Sequence, residues 1–129
     1  MKYSGKKLQI AYSRNIESTT IRNKNYRKVE YTTKNLQLVV MSIRKHEEIG
    51  MERHRNATQF IRVESGSGYA VIKVGKIKRR IKLIKDSAII IPPNTFHNII
   101  AGKKGLKVYT IYSPPQHRKG LIQRIKTRE

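Results

Sequence analysis

Gln59-Phe60-Ile61-Arg62-Val63-Glu64-Ser65-Gly66 alternates with a two-residue period. On an extended chain, side chains two apart share a face, so Gln59, Ile61 and Val63 look one way and Phe60, Arg62 and Glu64 the other. With the apolar pair turned inward, Gln59 becomes a polar group at the mouth of a core. Just upstream, Glu52 and His54 share one face of an extended segment while Met51, Arg53 and Arg55 take the other, so an acid and an imidazole converge. Downstream, in Phe96-His97-Asn98-Ile99-Ile100, His97 shares its face with Ile99. A second imidazole therefore looks inward, where it needs a partner.

Outward from this stretch the same pattern repeats. Short runs rich in β-branched and aromatic residues, divided by Gly, Pro, Asn or charged breaks, predict about eight strands. They are Tyr26 to Tyr31, Leu36 to Ile43, Thr58 to Glu64, Tyr69 to Val74, Ile77 to Ile84, Ala88 to Ile91, Phe96 to Ile100 and Leu106 to Tyr112, with Glu52 to Arg55 as an extended arm. Helical periodicity is almost absent. Closely spaced strands of this number in one domain indicate an all-β barrel of the jelly-roll kind. Residues 1–25 are polar and read as an N-terminal arm or edge strand, 26–115 as the barrel and 116–129 as a basic tail. Pro114-Pro115 bars that tail from continuing a central strand, leaving a strap across the domain or a free arm.

The spacing of these residues resembles the two motifs of the cupin superfamily. The first has the form Gly-x5-His-x-His-x(3,4)-Glu-x6-Gly and runs here through His46, Glu52, His54, Gln59 and Gly66 with every interval intact. The second, Gly-x5-Pro-x-Gly-x2-His-x3-Asn, runs through Asp86, Pro92, Asn94, His97 and Ala101. Small single-domain cupins are the nearest match, and the resemblance implies a double-stranded β-helix barrel with a metal inside. Family members usually hold it with three His and a Glu; the matching positions are Glu52, His54, Gln59 and His97. Two imidazoles and one carboxylate suit a divalent transition metal, Fe, Mn, Zn or Ni, and Gln59 offers a carbonyl oxygen as a weaker fourth ligand. Asn and Asp tolerate left-handed backbone, so Asn94 and Asp86 keep the turns plausible where the pattern has Gly. Ala101 removes the polar group of the second motif. By analogy the resemblance offers dioxygenase or sugar-phosphate isomerase chemistry on an unidentified small molecule, although fold does not fix function and no separate general base stands out. His46 lies in a charged turn, and His117, in the tail, has no visible constellation.

The chain of 129 residues carries 29 Lys or Arg against 8 Asp or Glu, a formal net charge of +21. That charge has two readings, drift in an A+T-rich coding sequence or attraction to a polyanion such as nucleic acid. The second favours Lys73, Lys76, Lys78, Arg79, Arg80, Lys82 and Lys85, an outer hairpin whose Ile77, Ile81 and Leu83 face inward if Lys78, Arg80 and Lys82 face water. It makes a non-catalytic scaffold bound to nucleic acid, even a viral structural or packaged protein, the alternative to an enzyme. No helix-turn-helix, zinc-finger or aromatic RNA-binding signature is present, so such binding is phosphate-dominated and nonspecific. Without cysteine, disulfides, thiol nucleophiles and Cys-ligated metals are excluded. No apolar run reaches membrane-spanning length and none follows the basic N-terminus as a signal peptide, so the expectation is a soluble intracellular protein, in host cytoplasm or virion if viral, with no membrane partner. Asn56-Ala57-Thr58 then has no glycosylating context. A homodimer through sheet edges and the arm is the remaining expected partner.

Overall fold

The computed structural model describes residues 10–126. Of the expected arm, residues 1–9, and of the basic tail, residues 127–129 with Arg128, lie outside the described residues. The rest is an antiparallel β barrel of the jelly-roll class, as the alternation predicts. Strands β1 (Arg27–Thr32), β2 (Gln37–Ile43), β3 (Thr58–Val74), β4 (Ile77–Ile84), β5 (Ala88–Ile91), β6 (Phe96–Ser113) and β7 (Ile122–Gln123) lie in the order β4-β3-β6-β2-β1-β7, with β5 also on β3.

Two pairs of expected strands are fused. Thr58 to Glu64 and Tyr69 to Val74 form the single β3, and Phe96 to Ile100 and Leu106 to Tyr112 the single β6. The Gly-rich joints are bulges, with register shifts between Val63 and Ser65 and between Gly66 and Gly68, so the long strands bend instead of ending. Gly66 has φ 86°, and a Cβ there would sit 2.0 Å from the Gly105 carbonyl oxygen. The first half of β3 thus pairs with β5 and the end of β6, and its second half with β4 and the start of β6. His46, Asp86 and Asn94, standing where the cupin pattern has glycine, all have positive φ, at 62°, 71° and 60°.

Between the layers lies a core that includes Val39, Met41, Ile61, Val63, Leu83, Ile99 and Tyr112, each 2% exposed or less. Gln59 and His97, both 1% exposed, belong to the same inward faces.

Three expectations are corrected. The described part of the arm contains a helix, α1 (Ile16–Arg22), which the polar composition concealed. Asn15 caps it by accepting the Ser18 amide at 2.9 Å, and Glu17 and Arg22 suit the helix dipole at either end. Glu52 to Arg55 is not a strand; only Glu52 bridges to β6, opposite His97. In the hairpin, Leu83 is buried but Ile77 and Ile81 are 58% and 40% exposed. β4 is an edge strand, and only its Leu83 end, opposite Gly68, lies over the core.

The described tail is a strap. Gln37 is fully buried, and its Oε1 accepts the Gln116 and His117 amides at 3.2 and 3.0 Å. Its Nε2 donates to the His117 carbonyl at 2.7 Å and to Thr32 Oγ1 at 3.0 Å. Further on, Leu121 packs against the core and β7 pairs with β1. This latch closes the sheet edge at β1 with β7.

Candidate metal centre

The segment from His46 to Glu52 runs antiparallel along the first half of β6. Backbone bonds join Ala101 to Glu47, Ile49 to Ile99, and Glu52 to His97 in both directions, the last pair at 2.8 and 2.9 Å. Asn98 staples this segment from within β6: its Nδ2 donates to Glu48 Oε1 and its Oδ1 accepts the Gly50 amide, both at 2.8 Å. Glu52 and His54 are thereby carried over the inward face of β6, where His97 projects.

Glu52 Oε1 lies 3.4 Å from His54 Nε2 and 3.8 Å from His97 Nε2. One ligand atom from each of the three falls within 4.8 Å of the others. Ligands about 2.1 Å from one cation in tetrahedral array are roughly 3.4 Å apart, so these separations suit a shared ion. His97 Nδ1 lies 2.9 Å from the Thr95 carbonyl, which can only accept. The proton is therefore on Nδ1, and Nε2 presents a lone pair to the cavity. Gln59 Nε2 donates to Thr110 Oγ1 at 3.1 Å and to Tyr112 Oη at 3.2 Å, turning Oε1 the other way.

Three buried atoms here, His54 Nε2, His97 Nε2 and Gln59 Oε1, have no hydrogen-bond partner. The 3.4 Å approach of Glu52 Oε1 to His54 Nε2 is a close polar contact short of a hydrogen bond. Buried polar atoms are rarely left unpaired, because each costs about 1–3 kcal/mol, and the two imidazole nitrogens here face the same carboxylate.

The electrostatics favour ligands ready to bind. Burial lowers the pKa of His97, against the Thr95 carbonyl and Glu52, and keeps the imidazole neutral. Burial alone would raise that of Glu52, but His54, His97 and Arg27 outweigh it and hold the carboxyl below its ordinary value.

The structure thus brings Glu52, His54 and His97 together and buries Gln59 beside Tyr112, its cross-strand partner. The seven cations of the basic hairpin lie elsewhere, on β4 and the strand end and turns beside it. The sequence reading gave no role to Asn98, Thr110 or Tyr112 and found no constellation for His117. Thr110 and Tyr112 share parity with Val108 on β6, a signal of inward orientation. His117 arrives on the strap: its Nε2 is 3.4 Å from Tyr112 Oη and the two rings meet edge to face at 5.1 Å. Burial, with Arg27 nearby, lowers its pKa to about 4.

No family model matches the chain. It is 39% identical over 117 residues to the uncharacterized protein YrkC of Bacillus subtilis, covering 87% of this chain and 62% of that one. It is 38% identical over 113 residues to the uncharacterized protein L612 of Acanthamoeba polyphaga mimivirus, covering 86% and 70%. The crystal structure of BH2720 from Bacillus halodurans superposes with a TM-score of 0.84 at 37% identity, covering 88% of each chain. The Schizosaccharomyces pombe Cnp3 cupin domain follows at 0.64 and 13%, over 82% of this chain and 70% of that one. Bacillus subtilis oxalate decarboxylase, which has Mn(II) centres, gives 0.62 and 15%, over 72% and 25%. The chain belongs to the cupins, as a small single-barrel member. It spans less than two thirds of the length of YrkC. Among the described residues no helix is long and apolar enough to cross a membrane.

Proposed function

We propose that this cupin binds one divalent transition metal through Glu52, His54, His97 and the carbonyl oxygen of Gln59. The supporting observation is the set of three orphaned buried atoms, of which His97 Nε2 and Gln59 Oε1 present lone pairs in the orientations their hydrogen bonds set, with an ionised carboxylate beside the two imidazoles. A cation supplies the missing partner to all of them at once. Two His and one carboxylate suit Fe, Mn, Ni or Zn. Bound there, the metal supplies Lewis-acid chemistry, or oxygen activation as Fe(II), to a small-molecule substrate. The chain's own residues orient the ligands and exclude bulk water, with Asn98 fixing the loop and Tyr112 closing one wall. Protein purified without chelator is expected to carry close to one metal per chain by elemental analysis. After stripping, its melting temperature should rise on adding Mn, Fe, Ni or Zn. Metal-free protein whose melting is indifferent to all four cations refutes the reading.

A second reading, compatible with the first, concerns the hairpin. Lys73 sits directly opposite Lys78 across β3 and β4, and Arg80 stacks over Tyr69 at 3.8 Å. Like charges directly opposite destabilise a sheet. Among the described residues, none of Lys73, Lys76, Lys78, Arg79, Arg80, Lys82 and Lys85 has an ion-pair partner. A phosphate backbone relieves that repulsion. Binding to a generic DNA duplex should weaken with salt at a slope of about −3 to −4 in log–log form for three or four phosphates. Affinity that ignores salt, or that survives Lys78→Glu with Arg80→Glu, excludes this surface.

A further inference from the structure

Gln59 differs from a carboxylate at the same place in one respect: its two terminal atoms are unlike. Only Oε1 can face a cation; the flipped amide aims N–H groups at it. What fixes the flip is therefore part of the site. The two groups beside Nε2, Thr110 Oγ1 and Tyr112 Oη, are hydroxyls, able to donate as well as accept. Left free, both could turn their protons toward a flipped Gln59, and neither orientation would win.

Tyr112 is not left free. His117 Nε2 lies 3.4 Å from its hydroxyl, and the His117 backbone is held on both sides by Gln37. We infer that His117 is a positioning residue for the candidate metal centre: by accepting the Tyr112 proton it makes the Tyr112 oxygen an acceptor toward Gln59 Nε2, and so keeps the Gln59 carbonyl turned to the metal. The 116–126 strap is thus a component of the centre as well as a closure of the sheet. The low pKa of His117 agrees with a neutral ring that accepts. The inference rests on the metal reading above.

The test measures Mn2+ affinity of the full chain at fixed neutral pH, by electron paramagnetic resonance of the free ion. His117→Ala should weaken Mn2+ roughly 10- to 100-fold, the range for partners that orient metal ligands. His117→Gln should restore most of it, since its amide oxygen can take the same proton. Tyr112→Phe keeps the ring in place and should match His117→Ala, with the double variant no worse than either, because both act through one bond. The deciding background is Gln59→Glu, whose carboxylate, ionised when metal binds, has two like oxygens and needs no orientation. There His117→Ala should change affinity by less than about 3-fold, well short of the effect of losing an orienting partner. Wild type that binds Mn2+ while His117→Ala binds equally well overturns the positioning role and spares the metal site. An equal loss in the Gln59→Glu background also overturns it, since His117 then acts through packing alone. Wild type that binds no Mn2+ overturns both.

Discussion

Replacing Gln59 with Leu separates what this residue does for the fold from what it does for a cation. Leu is close in volume and removes the orphaned Oε1, whose burial costs about 1–3 kcal/mol. It also removes two hydrogen bonds, to Thr110 and Tyr112, together about 1–3 kcal/mol. With the buried Thr110 hydroxyl still paired to Tyr112, the two nearly cancel, so in metal-free protein the melting temperature should stay within about 5 °C of wild type, given roughly 3–5 °C per kcal/mol at this chain length. Metal-bound protein should behave differently. At a metal concentration 100 times Kd, wild type gains about 2.7 kcal/mol, or about 8–14 °C. A site 10- to 100-fold weaker gains only about 1.4 to 0.4 kcal/mol at the same concentration, or about 1–7 °C. Differential scanning calorimetry with and without Mn2+ reads all four numbers. A full metal-induced rise in Gln59→Leu refutes ligation by the amide, and a loss of 3 kcal/mol or more without metal shows that Oε1 has a partner in the fold.

The pH dependence follows from His117, whose folded pKa of about 4 lies below the roughly 6.5 of an unfolded histidine. Between those values the unfolded chain binds more protons, so stability is complete above about 6.5, falls with acidification and levels off below about 4. Because the ring is only part-buried, screening reduces the effect to about 1–2 kcal/mol. Urea melts across this window should show His117→Gln with a shallower slope, and an unchanged slope disproves the assignment. Leu83→Ala, at a fully buried position, should cost about 2–5 kcal/mol, whereas Ile77→Ala on the exposed end of β4 should cost under about 0.5 kcal/mol; equal urea midpoints would contradict the placement of β4. Gly66→Ala should lower the yield of folded protein severely, since its Cβ meets the Gly105 carbonyl where φ is already positive; normal circular dichroism and melting would overturn that.

What was legible in the sequence and what was not divide along a physical line. Strand alternation carries the face of every residue on one strand, so the inward direction of Gln59 and His97 was readable locally. Motif spacing added which strands meet, and with it the grouping of Glu52 and His54 with His97. Alternation does not say where a strand bends or stops: Gly66 and Gly68 look like turn residues, yet they bulge β3 across both layers. Nor does it say how far an edge strand projects beyond its opposing layer, which is why Ile77 and Ile81 were expected inside. The cap at Asn15 was present as a signal but headed only a seven-residue helix, too short for periodicity to register. His117 was beyond local reading because its partner Tyr112 lies across Pro114-Pro115 and the clamp at Gln37 is 80 residues away.

The proposed ligand set has its own logic. Measured against the cupin pattern, the set still carries a single carboxylate, but it has moved from position 59 to position 52. Gln59 is 1% exposed between two hydroxyls, whereas the Glu52 side chain is 29% exposed on a loop beside His54 and His97. An ionised carboxylate at position 59 would lose nearly all its water, at several kcal/mol in metal-free protein; at position 52 the imidazoles and remaining solvent keep it charged. Ion binding at the proposed site would thus displace no proton from the deep position. Gln59→Glu reverses this. Its buried carboxyl should be protonated in the metal-free protein, and binding must then release that proton. Mn2+ affinity of the variant should therefore rise with pH more steeply than that of wild type, approaching an extra tenfold per unit below the new carboxyl's pKa. Isothermal titration in buffers of different ionisation enthalpy counts the released protons, and identical counts for variant and wild type would refute the argument.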